Sequence, residues 1–273
     1  MDLIKDKVNK GYKYIDEEKK FFTKCMSNAF ESAEKRKLQI TWFVILNLFE
    51  QAHSTINAQL SICAKQENLM LVPLNILYRA LIENTFMAIF IGSNCFYRHT
   101  DEYALDYYKI SQIKELFEAV RIENKMVDSE NQSDKVDKWV KLAEYDPKYE
   151  SLTKYDKKEL EKKVKSFSFS RIIDYLCNHE ILGHDKKFFK SVLNHYSMAS
   201  SFVHSSSRII QYVGRDTDSD SVIKKQITTL DHSVILLSFH TIFALKVFYG
   251  GAPYENDLDK RHEDIISIYE TSK

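Results

Sequence analysis

Residues 71–91, LVPLNILYRALIENTFMAIFI, are apolar almost all the way round. A helix of that kind belongs in the middle of a core, because it has no polar face to turn to water. The stretch nevertheless carries one cation and one anion, Arg79 and Glu83. Four residues apart, they lie on the same side of a helix. Charges in apolar surroundings are costly unless they are paired or put to use. The chain must therefore wrap other elements around 71–91 and give Arg79 and Glu83 a partner or a task.

The remaining sequence offers helices for that wrapping. It has 6 Gly and 3 Pro among 273 residues, few for a chain built on tight turns and sheet edges, which rely on both. No alternating strand pattern and no internal repeat is present. The expectation is an all-α fold, a single-domain helical bundle of about seven to ten helices. Thirty-nine basic and 39 acidic residues cancel, so no global field draws the chain to nucleic acid or to an anionic membrane. Such binding would need a local basic patch. Cys25, Cys63, Cys95 and Cys177 are scattered without a C-x-x-C pair. They read as buried or free thiols in a reducing cytoplasm. The N-terminus lacks a signal-peptide apolar run. Residues 233–250, the most membrane-like segment, carry His240 and Lys246 and are expected to form a core helix rather than a span.

Taken in order, residues 1–36 read as peripheral amphipathic helices with a break near Gly11. In 38–65, Trp42, Ile45, Leu46, Phe49, Ala52, Ile56 and Leu60 share a face with His53. Pro73 suits the first turn of the next helix, and Gly92-Ser93-Asn94 is expected to end it. Thr100, before Asp101 and Glu102, reads as an N-cap. The helix after it runs to about residue 126. Segments 38–126 and 167–250 form the core. The lysine- and glutamate-rich segment 127–165 is an exposed insertion or partner surface, with short helices on either side of Asp146-Pro147. Residues 254–273 supply a closing helix and tail.

Two runs could carry chemistry. The first is Arg79 with Glu83, where the carboxylate fixes the guanidinium fork against an anion. The second runs from Tyr196 through Ser200, Ser201 and His204 to Arg208. Either serine can meet His204 on a helix surface, and a histidine there suits general acid–base work near neutral pH. Six serines from 197 to 207 weaken a helix, which fits a polar pocket or close helix approach. Glu50 and His53 have the Glu-x-x-His spacing of helical dimetal sites. With no second copy, no metal and no cofactor are expected. His232 and His240 read as core histidines.

Arg79 and Glu83 on a long apolar helix, followed by Tyr196, Ser200 and His204 on a late one, resemble a family of bacterial helical proteins known as a domain of unknown function. That family in turn loosely resembles HEPN bundles. The resemblance covers about residues 38–250 and implies a HEPN-like core, a homodimer, and metal-independent cleavage of RNA in phage-defence or toxin–antitoxin systems. One departure is plain. HEPN ribonucleases place four to six residues between an arginine and the histidine that follows it, and no such pair occurs here; Arg171 and His179 have seven residues between them. Arg79 would then reach His204 from another helix.

Two readings follow. In the first, the chain is a ribonuclease-like enzyme with His204, Arg79 and Glu83 as catalytic residues and Tyr196, Ser200, Ser201 and Arg208 holding the substrate. In the second it is a noncatalytic sensor or interaction module. That module binds a small anionic ligand in the same pocket or a protein partner through 127–165. No membrane partner is expected in either.

Overall fold

The apolar stretch becomes the central helix. A computed structural model describes residues 2–65, 71–127, 135–178, 186–203 and 219–249, together with Lys260. These residues form α1 (Asp2–Lys35), α2 (Gln39–Ala64), α3 (Leu71–Arg98), α4 (Glu102–Met126), α5 (Lys138–Tyr145), a 3₁₀ turn (Pro147–Tyr149), α6 (Lys154–Ser166), α7 (Phe169–Asn178), α8 (Lys186–Val203) and α9 (Ser219–Tyr249). No strand occurs among the described residues, and the fold is an all-α bundle. The closing helix expected beyond residue 254 and the continuation of α8 past residue 203 lie outside the described residues.

α3 touches α2, α9, α8, α4 and α7. From Thr85 to Cys95 all its residues but Met87 are buried, whereas Ile76 and Ala80 are exposed and Arg79 and Glu83 half-buried. The all-round apolar reading thus holds for the second half of α3. In the first half one stripe opens outward, and the ion pair lies on its edge. Phe86 meets Phe169 of α7 edge-on at 5.7 Å between centroids and Phe189 of α8 at 5.2 Å. Burying a ring of this size contributes on the order of 3 kcal/mol, more than a half-exposed ion pair. Phe86 therefore seats α7 and α8, and the ion pair is free for another task.

α1 is one unbroken helix. The break expected at Gly11 is absent because this glycine serves a close approach: a Cβ there would stand 2.6 Å from Leu60 Cδ2 of α2. Ile4, Val8, Ile15, Phe22, Cys25, Ala29 and Ala33 enter the common core, so α1 is part of the core rather than a peripheral clamp. One helix end also differs from expectation. α3 continues through Gly92-Ser93-Asn94, where Asn94 Nδ2 donates to Phe90 O at 2.8 Å and Oδ1 accepts from the Tyr175 hydroxyl at 2.7 Å. It ends at His99, whose φ is 52°. Thr100 N–H donates to Cys95 O and His99 N–H to Phe96 O, the paired bonds of a Schellman stop. Lys37, at φ 58°, closes α1 with the same pair, Leu38 to Ala33 and Lys37 to Glu34. Non-glycine residues take the left-handed position at both ends, which explains how long helices stop in a glycine-poor chain.

Thr100 Oγ accepts from Glu102 N–H at 3.2 Å. Asp101 instead caps the neighbouring α2, accepting from Ile40 N at 3.0 Å and Thr41 N at 2.8 Å. The described part of 127–165 is not wholly exposed. Leu142 is fully buried, Trp139 packs edge-on against Phe117 at 5.1 Å, and Lys138 of α5 holds Glu161 of α6 at 2.6 Å. α6 starts at a capping box between Thr153 and Asp156 and buries none of its residues.

Two helices, Leu71–Arg98 and Ser221–Leu245, are long and apolar enough to cross a membrane by length and composition. Within this fold 61% and 72% of their apolar windows are buried, as in helices of a protein core. Cys25, Cys63 and Cys95 are buried and Cys177 is exposed, all as free thiols.

Candidate functional site

Arg79, Glu83 and Tyr196 meet where α3 faces α8. Arg79 Nε donates to Glu83 Oε1 at 2.9 Å, and the Tyr196 hydroxyl donates to the same oxygen at 2.8 Å. One carboxylate oxygen thus orients a cation on its own helix and a phenol on another. The Arg79 guanidinium carbon also lies over the Tyr196 ring, 5.5 Å from its centroid. The other side of that ring system is braced by Phe169 of α7, stacked at 4.2 Å. The side chains of Arg79 and Glu83 keep 23% and 39% of their surface exposed, so the site borders solvent rather than being sealed.

The electrostatics follow from this placement. Burial disfavours the Arg79 charge, but the hydrogen bond and charge of Glu83, with help from Tyr196, outweigh it and raise its pKa. Burial pushes the Tyr196 hydroxyl up to about 12, and its bond to the Glu83 carboxylate adds to the effect. At neutral pH the group is a cation, an anion and a neutral donor. Arg79 Nη1 is buried and has no hydrogen-bond partner among the described residues. Guanidinium donors are normally all used when removed from water. The fork is oriented at Nε and unspent at Nη1, the arrangement a bound oxyanion would complete.

A second polar cluster adjoins the first. Tyr78 precedes Arg79 on α3, and His195 precedes Tyr196 on α8. The ring of His232 on α9 lies between them, 4.6 Å edge-on from His195 and 6.4 Å from Tyr78. His195 Nδ1 lies 2.8 Å from the Ser191 carbonyl, which assigns the proton of that contact to Nδ1 and leaves Nε2 as the acceptor of a neutral ring. Burial, then the neighbouring His195, lowers His232 to about 4. His232 is a core histidine, as expected. His195 had not been singled out. Its signal was that Val192, His195 and Ala199 fall three and four residues apart, and the two apolar members are buried.

Of the other expected residues, Ser200 lies on α8, half-buried. Ser201 is in the same helix, with its side chain outside the described set. His204 and Arg208 lie outside the described residues. Arg79, Glu83 and Tyr196 are brought together; the described residues do not include the histidine proposed to join them. His53 is not part of this group. It sits on α2 with Nδ1 3.1 Å from Asn57 Nδ2, and burial lowers its pKa. Among the described residues, no group of three or more His, Cys, Asp or Glu side chains could hold a metal ion.

Residues 43–221 match a family of unknown function, DUF5677. The matched span contains the whole of the Arg79–Glu83–Tyr196 network and the Ser200–Arg208 run. The chain belongs to the DUF5677 family. No curated protein and no solved structure matches it. The DUF5677 span begins inside α2 and ends near the start of α9, so α1 and most of α9, including His232, lie outside it.

Proposed function

We propose that this DUF5677 protein is a HEPN-like ribonuclease that cleaves RNA without a metal, in a phage-defence or toxin–antitoxin setting. The observation that carries the reading is Arg79, a cation aimed by Glu83 and Tyr196 with one buried donor left unspent by the described residues. His204 acts as general base on the 2′-hydroxyl, whose oxygen attacks the adjacent phosphorus. The bond from phosphorus to the 5′ oxygen breaks, and that oxygen takes up a proton. The products are a 2′,3′-cyclic phosphate and a 5′-hydroxyl. Arg79 balances the charge that builds on the phosphoryl oxygens, a task in which a positioned donor is most effective when desolvated. Glu83 and Tyr196 hold the guanidinium in place, and Ser200, Ser201 and Arg208 contact the strand.

The test uses end-labelled single-stranded RNA and the full chain in EDTA. Cleavage to cyclic-phosphate ends, abolished in a folded His204→Ala variant, supports the reading; intact RNA with folded wild type rejects it. A second reading, a noncatalytic anion sensor, is favoured by one feature. Glu83 Oε1 already accepts from both Arg79 and Tyr196, so the described network is complete as a binding scaffold without a histidine. In that case RNA stays intact and inorganic phosphate raises the melting temperature of wild type but not of Arg79→Ala.

A further inference from the structure

A cleft of about 690 Å³ is bordered by α3, α4, α6 and α7. Its apolar part is three rings. Phe90 meets Tyr103 edge-on at 6.0 Å and Tyr175 at 5.1 Å, and the Tyr175 hydroxyl is pinned to Asn94. Its rim is cationic. Lys158, Lys162 and Lys165, spaced four and three residues apart, present one face of α6, and Arg171 of α7 stands among them.

How these cations are partnered is the informative point. Lys163, on the side of α6 toward α4, is held by Asp106 at 3.1 Å, and Lys138 by Glu161 at 2.6 Å. The four cations of the cleft make no ion pair among the described residues. Among the described residues the one carboxylate in its lining is Glu161, which Lys138 engages and Lys165 attracts at longer range. A chain with no net charge thus sets four cations around one lining carboxylate, itself engaged by Lys138, at an aromatic-floored cleft. Like charges along a helix face repel, so the arrangement favours an anion from outside.

We propose that this cleft binds unpaired RNA, with the lysines and Arg171 on backbone phosphates and the tyrosine rings against bases. Cations that track a backbone beside rings that accept any base are the recurring means of holding single strands. An acidic peptide would use the cations and leave the rings without a role. The inference rests on the ribonuclease reading and names how its substrate is held. α7 joins the two places: Phe169 stacks on Tyr196, and Arg171, two residues on, lines the cleft. Along α3, Phe90 lies seven residues beyond Glu83, roughly 10 Å at the rise of a helix. A strand in the cleft is thereby led toward Arg79.

Fluorescence anisotropy with a labelled 2′-O-methyl RNA dodecamer, which cannot be cleaved through its 2′ oxygen, tests this separately from catalysis. The full-length chain carrying Lys158→Gln, Lys162→Gln and Lys165→Gln is expected to bind at least tenfold more weakly. Its log–log salt slope is expected to be shallower by about 2, from the lost phosphate contacts to a single strand. Arg171→Gln alone is expected to weaken binding severalfold, and circular dichroism checks that both variants are folded. Unchanged affinity and salt slope in both variants would overturn the proposal. So would a poly-glutamate peptide that displaces the RNA at equal charge concentration, because the cleft would then be a protein-docking site. Lysine-dependent binding of this probe by a protein that leaves ordinary RNA intact would uphold the cleft and reject only the ribonuclease reading.

Discussion

Replacing Tyr196 by phenylalanine isolates one bond of the α3–α8 network. The ring keeps its stack on Phe169 and its place under Arg79; only the 2.8 Å donation to Glu83 Oε1 is lost. A hydrogen bond to a charged acceptor contributes about 1.5–3 kcal/mol when well shielded. The Glu83 side chain is 39% exposed, so water takes over part of the role and a loss of about 1 kcal/mol is expected. Glu83→Gln also deprives Arg79 of its carboxylate and should cost about 1–2 kcal/mol. Because both donors share one oxygen, the double variant should fall short of the sum by about 1 kcal/mol. Urea unfolding at pH 7 measures all three. The hydroxyl supplies an independent readout. Its folded pKa of about 12 lies above the ordinary value of 10, so its stabilising contribution is whole below pH 10 and is lost as pH climbs toward 12. In Glu83→Gln the ionisation seen at 295 nm, as the difference from a chain also carrying Tyr196→Phe, should move down toward 10. Additive losses and an unmoved ionisation would refute the contact.

Three further outcomes are expected. Asp101→Ala removes the cap on α2 and should cost about 1–2 kcal/mol, a fall of several degrees in melting temperature. Burial holds His232 and His240 near 4, below their ordinary 6.5; the neutral rings stabilise the fold above pH 6.5, and that support is lost as pH falls toward 4, at about 1.4 kcal/mol per pH unit for each. His240→Phe should therefore flatten the dependence of unfolding free energy on pH between 7 and 5, leaving the parts due to His232 and His53, and an unchanged slope would contradict it. A thiol reagent should label Cys177 rapidly in the native state while Cys25, Cys63 and Cys95 react only on unfolding; burial pushes the Cys63 thiol up to about 12, which removes the reactive thiolate.

The all-helical class was legible because Gly and Pro scarcity and helical periodicity both report on the whole chain. The boundaries set by those residues were not. Gly11 and Gly92 read as breaks, yet Gly11 admits Leu60 and Gly92 is buried inside α3, while His99 and Lys37 perform the stops. Spacing cannot tell a glycine needed for close packing from one needed for a turn. Arg79 and Glu83 were legible as a pair from their interval of four. Tyr196 joins them across a sequence separation of 113, a contact only the resemblance foreshadowed. His195 escaped notice because its neighbour Tyr196 faces α3, and adjacent helical positions point about 100° apart. The lysines of α6 read as part of an exposed insertion, since sequence does not show that Lys163 turns to Asp106 while Lys158, Lys162 and Lys165 line a cleft.

Arg79 and His204 are proposed to act as one site on RNA. Single-turnover cleavage of a labelled RNA by Arg79→Ala, His204→Ala and the double variant, each confirmed folded, tests it most directly. Residues that work as a unit are strongly non-additive. Each single variant should lose about 100-fold or more, with the double variant hardly slower than the worse single one. Losses that multiply, or either single variant cleaving at the wild-type rate, would contradict the account.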